Sequence, residues 1–132
     1  MDTLKVSTDR REQLVDITSD VELRIAAAGL SEGACVLWSA HTTGGLTVNE
    51  GADPAVAKDI EDWLASAVPH GRHYRHLEGN SDSHIKTALV GPGLTLVVSG
   101  GRLQLGRWQR VFFCEFDGPR TRRVLLQLLP AG

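Results

Sequence analysis

From Leu94 to its end the chain is built of strand-like runs whose connections are too short for anything but antiparallel pairing. Residues 94–99, 102–105, 109–116 and 122–129 are rich in Val, Leu and Phe. Between them stand Gly100-Gly101, Gly106-Arg107-Trp108 and Asp117-Gly118-Pro119, all turn-forming sequences. A parallel crossover needs about a dozen residues, so these runs predict consecutive antiparallel strands in a meander. Val111-Phe112-Phe113-Cys114 is apolar at successive positions, which demands cover on both faces of its strand. Either two sheets pack face to face or a neighbouring subunit supplies the cover, and the small number of helices favours a homo-oligomer.

The first half carries the helices. Residues 4–7 and 13–17 flank the charged tetrad Asp9-Arg10-Arg11-Glu12 and predict a hairpin. Ser19 and Glu22 have capping-box spacing, so a helix is expected with Val21, Ile25 and Ala28 on one face and Gly29 as its stop. Residues 33–40 predict a buried strand with His41 at its end, and residues 46–48 a brief second one. Asp53-Pro54 then opens a helix whose apolar stripe is Val56, Ile60, Trp63, Leu64 and Ala67; Pro69 closes it. Ser81 or Asp82 is expected to cap a last short helix, which Gly91-Pro92-Gly93 ends. The reading is α+β, and a chain of 132 residues has room for one core, hence a single domain over 1–132.

Composition removes several classes of function. With 42% hydrophobic and 23% charged residues this is an ordinary globular sequence. A net charge of -2, with basic residues scattered among acids, offers no basic stripe, so no nucleic-acid partner is expected. The N-terminal residues hold no apolar run of the length that a signal peptide or spanning helix requires, so no membrane partner and a cytoplasmic location are expected. Cys35 and Cys114, each inside an apolar run, read as small buried hydrophobes rather than a disulfide framework or zinc ribbon.

The chemistry is concentrated in residues 73–87, HYRHLEGNSDSHIKT, which hold three of the five histidines, Glu78, Asp82 and Lys86. His70 and His73 lie on no periodic face and read as surface residues. The others admit a metal site, since neutral imidazole suits zinc and similar ions, or acid–base work by His84 in the first turn of its helix. Gly79, Asn80 and Ser81 lead into that helix, where free amides suit a phosphate or merely receive caps. Lys86 would add positive charge, while Glu78 and Asp82 favour a metal-bridged anion over a free one. Arg102, Trp108 and Gln109 stand beside glycine turns within reach of a ligand, although such a Trp also serves as a core or interface anchor. Glu115 in an apolar strand needs a partner if buried. Arg120, Arg122 and Arg123 read as solvent-facing charges on an edge strand.

HTTGGLTVNEGADP (41–54), HLEGNSDSHIKTALVGP (76–92), GRLQLGRWQ (101–109) and FFCEFDGPR (112–120) resemble, in order and spacing, the YjbQ-type family, named the secondary thiamine-phosphate synthase family. The resemblance covers nearly the whole chain. It implies a mostly antiparallel β-sandwich assembled as a homotrimer, with the family's histidines falling on His41, His76 and His84 as a metal site, zinc by preference, near a subunit boundary. Its Asn-Glu and Gly-Asn-x-Asp elements fall on Asn49, Glu50, Gly79, Asn80 and Asp82. The implied activity is joining hydroxymethylpyrimidine diphosphate to thiazole phosphate with release of pyrophosphate, magnesium being the other metal suited to a diphosphate. Glu50, Asp82 and Lys86 are the expected catalytic residues, and Asn49, Gly79, Asn80, Ser81, Arg102, Trp108 and Gln109 the expected contacts to a small phosphorylated metabolite. A non-catalytic metal- or anion-binding trimer is the alternative. The chain departs from the family's Gly-Thr-Trp-Gln-Gly pattern at Arg107 and Arg110, and at Gly44, where alanine is usual.

Overall fold

β1 (Asp2–Ser7), β2 (Gln13–Asp16), α1 (Thr18–Ala28), β3 (Gly33–Ser39), β4 (Gly44–Glu50), α2 (Pro54–Ala67), α3 (Ser81–Val90), β5 (Gly93–Ser99), β6 (Arg102–Leu103), β7 (Gln109–Glu115) and β8 (Thr121–Pro130) follow in that order. The structure, a computed structural model, describes residues 1–132. Every strand pair is antiparallel, in a five-stranded sheet ordered β1-β8-β3-β5-β6 and a three-stranded sheet ordered β2-β7-β4. The two sheets pack face to face. Leu37, Val98, Val124 and Leu126 of the larger sheet meet Leu46, Val111 and Phe113 of the smaller in one core, which Val21 and Ile25 of α1 close.

Strand existence follows the sequence; strand partnership does not. Residues 4–7 and 13–17 form no hairpin, because β1 pairs with β8 and β2 with β7, in different sheets. Nor do the last four strands form a meander: the chain leaves the larger sheet after β6, adds β7 to the smaller, and returns to set β8 between β1 and β3. β8 is therefore an interior strand, and its Arg122 is buried at 2% exposure, not on a solvent-facing edge. The doubly apolar run of β7 finds both covers inside the chain. Val111 and Phe113 face the inter-sheet core, while Cys114 and the adjoining Phe116 pack against Leu64 of α2. A neighbouring subunit is not needed for that purpose. The uncovered surface is the outer face of the larger sheet, where Trp38, Val97 and Leu129 are exposed.

Helix starts also depart from expectation. α1 begins two residues early, with no side-chain cap on Ile17; Asp16 accepts the Thr18 N–H instead, and Ser19 makes no capping box. In α2 the expected Asp53 cap is made, its Oδ1 accepting the Ala55 N–H at 2.9 Å, with Pro54 in the first position. Asp53→Ala should therefore lower stability by about 1 kcal/mol. Urea denaturation should show a lower midpoint with an unchanged m-value. The α2 stripe, however, buries only Leu64 fully and leaves Trp63 65% exposed. α3 is inverted: Asp82, Ser83, Lys86 and Thr87 face inward, while Ile85 and Leu89 face out.

Candidate functional site

A buried polar network holds one end of the sandwich. Glu115 at the end of β7 receives the guanidinium of Arg122 through Nε at 2.9 Å and through Nη2, together with the Thr8 hydroxyl at 2.8 Å and the Asp117 N–H at 3.1 Å. Burial alone would raise the Glu115 carboxyl, but these hydrogen bonds and the Arg122 charge outweigh it and hold it below its ordinary value. Arg122 Nη2 also donates to the carbonyl and hydroxyl of Thr43, at 3.1 and 2.9 Å. The His41-Thr42-Thr43 loop is thus clamped to the interior strand.

A second network explains the inverted face of α3. Asp82 accepts both Arg11 Nη atoms at 3.1 Å and Lys86 Nζ at 2.9 Å, and Lys86 also pairs with Glu12. Burial opposes ionisation of Asp82, yet the Arg11 and Lys86 bonds prevail and its carboxyl stays below the ordinary value. Ser83 donates to the Phe116 carbonyl at 2.6 Å, joining α3 to the end of β7. Lys86 is 0% exposed, so the expectation that it binds phosphate is corrected: its ammonium is spent on Asp82 and Glu12. Asp82 is equally enclosed and supplies no free carboxylate to a substrate.

The start of α3 is less open than its sequence implied. The N-cap is Asn80, not Ser81 or Asp82, and it makes no side-chain cap bond. Its amide donates to Asp117 at 2.9 Å, and its buried Oδ1 has no partner. Gly79, at φ 79°, presents its carbonyl to His70 Nε2 at 2.8 Å, so His70 braces the loop. Asp82 in the first turn already answers the positive end of the helix dipole.

His41 and His84 line one open pocket of about 610 Å³ with Trp38, Thr42, Thr87 and Pro92. His76 meets His84 edge to face, with ring centroids 5.4 Å apart, and its Nε2 lies 3.6 Å from Glu78. His84 thus stands beside His76 and shares the pocket with His41. Yet His41 Nε2 accepts the Arg123 backbone N–H at 2.8 Å, and no three His, Cys, Asp or Glu side chains gather as a ligand set. One chain does not fit a three-histidine zinc site, because one of the three lone pairs is occupied by a backbone donor.

The remaining expected residues lie at the other end. Glu50 and Gln109 are register partners, as are Asn49 and Arg110, while the Trp108 carbonyl accepts the Gly51 N–H. Arg102 and Arg110 share a surface cleft there. At about 3.3 Å per residue, the length of β4 puts Glu50 roughly 20 Å from the His41 end. Glu50 Oε2 accepts the Asp53 N–H at 2.9 Å and Asn49 the Glu50 N–H, local bonds that shape the turn into α2. Arg107 stacks on Trp108, 4.6 Å from its ring centre. Asn49, Glu50, Arg102, Trp108 and Gln109 are thus kept apart from the histidines within one chain. Arg11, Glu12, Thr43 and Arg122 were missed in the sequence; only the lone acid of β7, Glu115, signalled that a buried cation had to exist.

Both cysteines are free and buried, and burial pushes the thiols up, Cys35 to about 11 and Cys114 to about 12. No helix is long and apolar enough to cross a membrane. The family described as UPF0047 protein YjbQ-like matches residues 2–131. UPF0047 protein MJ1081 of Methanocaldococcus jannaschii is 43% identical over 125 residues, covering 95% of this chain and 91% of the relative. UPF0047 protein YugU of Bacillus subtilis is 41% identical, covering 96% of this chain and 97% of the relative. A solved YjbQ/UPF0047 protein of Clostridium acetobutylicum superposes with a TM-score of 0.95 at 40% identity, covering 98% of this chain and 100% of that one. The conserved hypothetical protein TT1486 of Thermus thermophilus is 50% identical with a TM-score of 0.91, covering 98% and 100%.

Proposed function

Since the chain belongs to the YjbQ-like UPF0047 family, we propose that the pocket between His41 and His84 takes a small phosphorylated heteroaromatic metabolite. The reaction assigned to it is the thiamine-phosphate synthase chemistry that the family resemblance implies. The thiazole nitrogen forms a bond to the pyrimidine methylene while the bond from that carbon to the diphosphate oxygen breaks, its electron pair leaving with pyrophosphate. The observation that carries this reading is the pocket's make-up: about 610 Å³, an indole face at Trp38, and histidine and threonine side chains around it. That volume suits a metabolite of two small rings or one ring with phosphate, and few polar groups suffice to orient it. Trp38 offers a stacking surface, and the histidine nitrogens and the Thr42 hydroxyl offer contacts to phosphate oxygens. No step is routed through a metal.

Asn49, Glu50, Arg102, Trp108 and Gln109 enter the same reading through assembly. A homotrimer joined head to tail would bring the Glu50 end of one copy toward the histidine end of the next, making a site shared between subunits. Trp38 links the pocket to the uncovered sheet face, which is the apolar surface such a ring would use. The same arrangement is the one in which His76 and His84 would acquire further metal ligands. Two free buried thiols accord with a reducing compartment, hence a cytoplasmic assignment.

In purified protein, pyrophosphate release from the pyrimidine diphosphate and thiazole phosphate should exceed the protein-free rate, and His84→Ala should lower it roughly a hundredfold. Absence of turnover in the parent protein would sink the enzyme reading. The second reading, a trimer that binds a metal or small anion without turnover, is favoured by one observation: Asp82 and Lys86 are locked in structural ion pairs. Metal content of chelator-free protein together with assembly mass then separates a binding clasp from an enzyme.

A further inference from the structure

His41 stands where strand pairing runs out. The β3–β8 ladder ends at the Ser39–Val124 pair, and the next amide along β8, that of Arg123, has no strand carbonyl within the ladder to meet. The imidazole of His41 takes the place of one, with Nε2 2.8 Å from the Arg123 nitrogen. A backbone amide can only donate. Nε2 must therefore be the unprotonated nitrogen of the ring, and a neutral imidazole that accepts through Nε2 carries its proton on Nδ1. Nδ1 has no partner in the protein, while the ring lines the pocket with His84 and Trp38.

We infer that His41 is a neutral hydrogen-bond donor, locked in its Nδ1–H tautomer by the Arg123 amide, whose ligand is an anionic oxygen of a phosphorylated molecule in this pocket and not a metal ion. The inference rests on the phosphorylated-metabolite reading above and specifies the contact within it. Coordination through Nδ1 would require either loss of its proton to leave an imidazolate, or a switch to the tautomer that points an N–H at the Arg123 amide. Coordination through Nε2 would strip that amide of its acceptor. The tautomer switch and coordination through Nε2 each give up the 2.8 Å bond that fixes the ring, which is its one hydrogen bond to the protein. An oxygen ligand asks for neither change.

The surroundings keep the donor neutral. Partial burial, then the charges of Arg122 and Arg123, push the His41 pKa down, Glu115 opposes them, and Arg120 adds to the decrease. A neutral donor gives up no proton when an anion arrives, so it stabilises growing negative charge through a dipole already in place. Arg122 is the positioning residue. Its Nη2 holds both the carbonyl and hydroxyl of Thr43, two residues after His41, while its Nε and Nη2 are anchored on Glu115. The ring is therefore set by a clamp on its own loop as well as by its hydrogen bond.

Two substitutions separate donor from metal ligand. Asparagine can present its amide nitrogen where Nδ1 stood, whereas glutamine reaches the Nε2 position. Using inorganic pyrophosphate as the probe, and calorimetry for affinity, His41→Asn should bind within about threefold of the parent and His41→Gln at least about tenfold more weakly. Zinc uptake, measured separately with zinc alone, should be equal in all three proteins. Nitrogen-detected NMR of the free protein should show a single Nδ1–H tautomer for His41. Equal pyrophosphate affinity in both variants, loss of zinc in both, or an Nε2–H tautomer would overturn the inference while leaving the pocket reading intact. A parent protein that binds no pyrophosphate would overturn the pocket reading, and the donor role with it.

Discussion

Arg122→Met is expected to destabilise the protein by about 3–5 kcal/mol, enough to unfold much of it where total stability lies in the usual range of about 5–15. The residue is 2% exposed and is the only cation that pairs with the fully buried Glu115 carboxylate. Methionine fills most of the volume but leaves that carboxylate ionised and facing Thr8 and two backbone amides alone. It also frees Thr43, so the histidine loop should loosen. Urea denaturation measures the first effect, and amide exchange of residues 41–45 the second. The double variant Glu115→Leu/Arg122→Met should recover much of the loss, because removing both charges removes the desolvation cost of each. If the single variant unfolds at the parent's midpoint, the pair contributes nothing net and the clamp does not exist as described.

The second large effect concerns Asp82, whose substitution by alanine should cost about 3 kcal/mol or more. Lys86 would remain buried with only the partly exposed Glu12, and Arg11 would lose a two-pronged partner. Its signature should be acid-dependent. Glu115 and Asp82 are both held below their ordinary values of 4.5 and 3.8. A carboxyl with a depressed folded pKa stabilises fully above its unfolded value, and that stability is lost as pH falls through the folded one. The parent should hold its stability from neutrality to about pH 5 and lose it steeply below about pH 4. Asp82→Ala should start lower and fall less between about pH 5 and pH 2. Parallel acid titrations of the two proteins, followed by circular dichroism, decide it. Equal slopes would remove Asp82 from the acid response.

α3 shows why half of the site was hard to read. The sequence offered Asp82 and Lys86 as residues facing a ligand, yet the helix buries them with Ser83 and Thr87 and turns Ile85 and Leu89 outward. Burial of an i,i+4 ion pair is stable only when outside charges complete it, and Arg11 and Glu12 come from a connection about seventy residues earlier. Nothing local could reveal that pairing. Lys86 and Asp82 consequently looked like chemistry and proved to be structure. Arg122 shows the converse, since a basic residue among apolar ones reads as an edge strand until its neighbours are known to be β1 and β3.

The elements themselves were legible in the chain. Alternation and turn residues marked the later strands, Asp53-Pro54 opened α2 as expected, and the doubly apolar run of β7 demanded two covers. These signals are local, carried by side-chain period and backbone preference, so they need no partner to be seen. Which strands pair, which charges are buried, and that the candidate residues fall at two ends of one sandwich emerged only on folding. Those outcomes depend on contacts between segments far apart in the chain, whose energies no short stretch contains. His41 is the clearest case: the chain places a histidine at a strand end, but only the Arg123 amide, 82 residues away, selects the nitrogen that holds its proton.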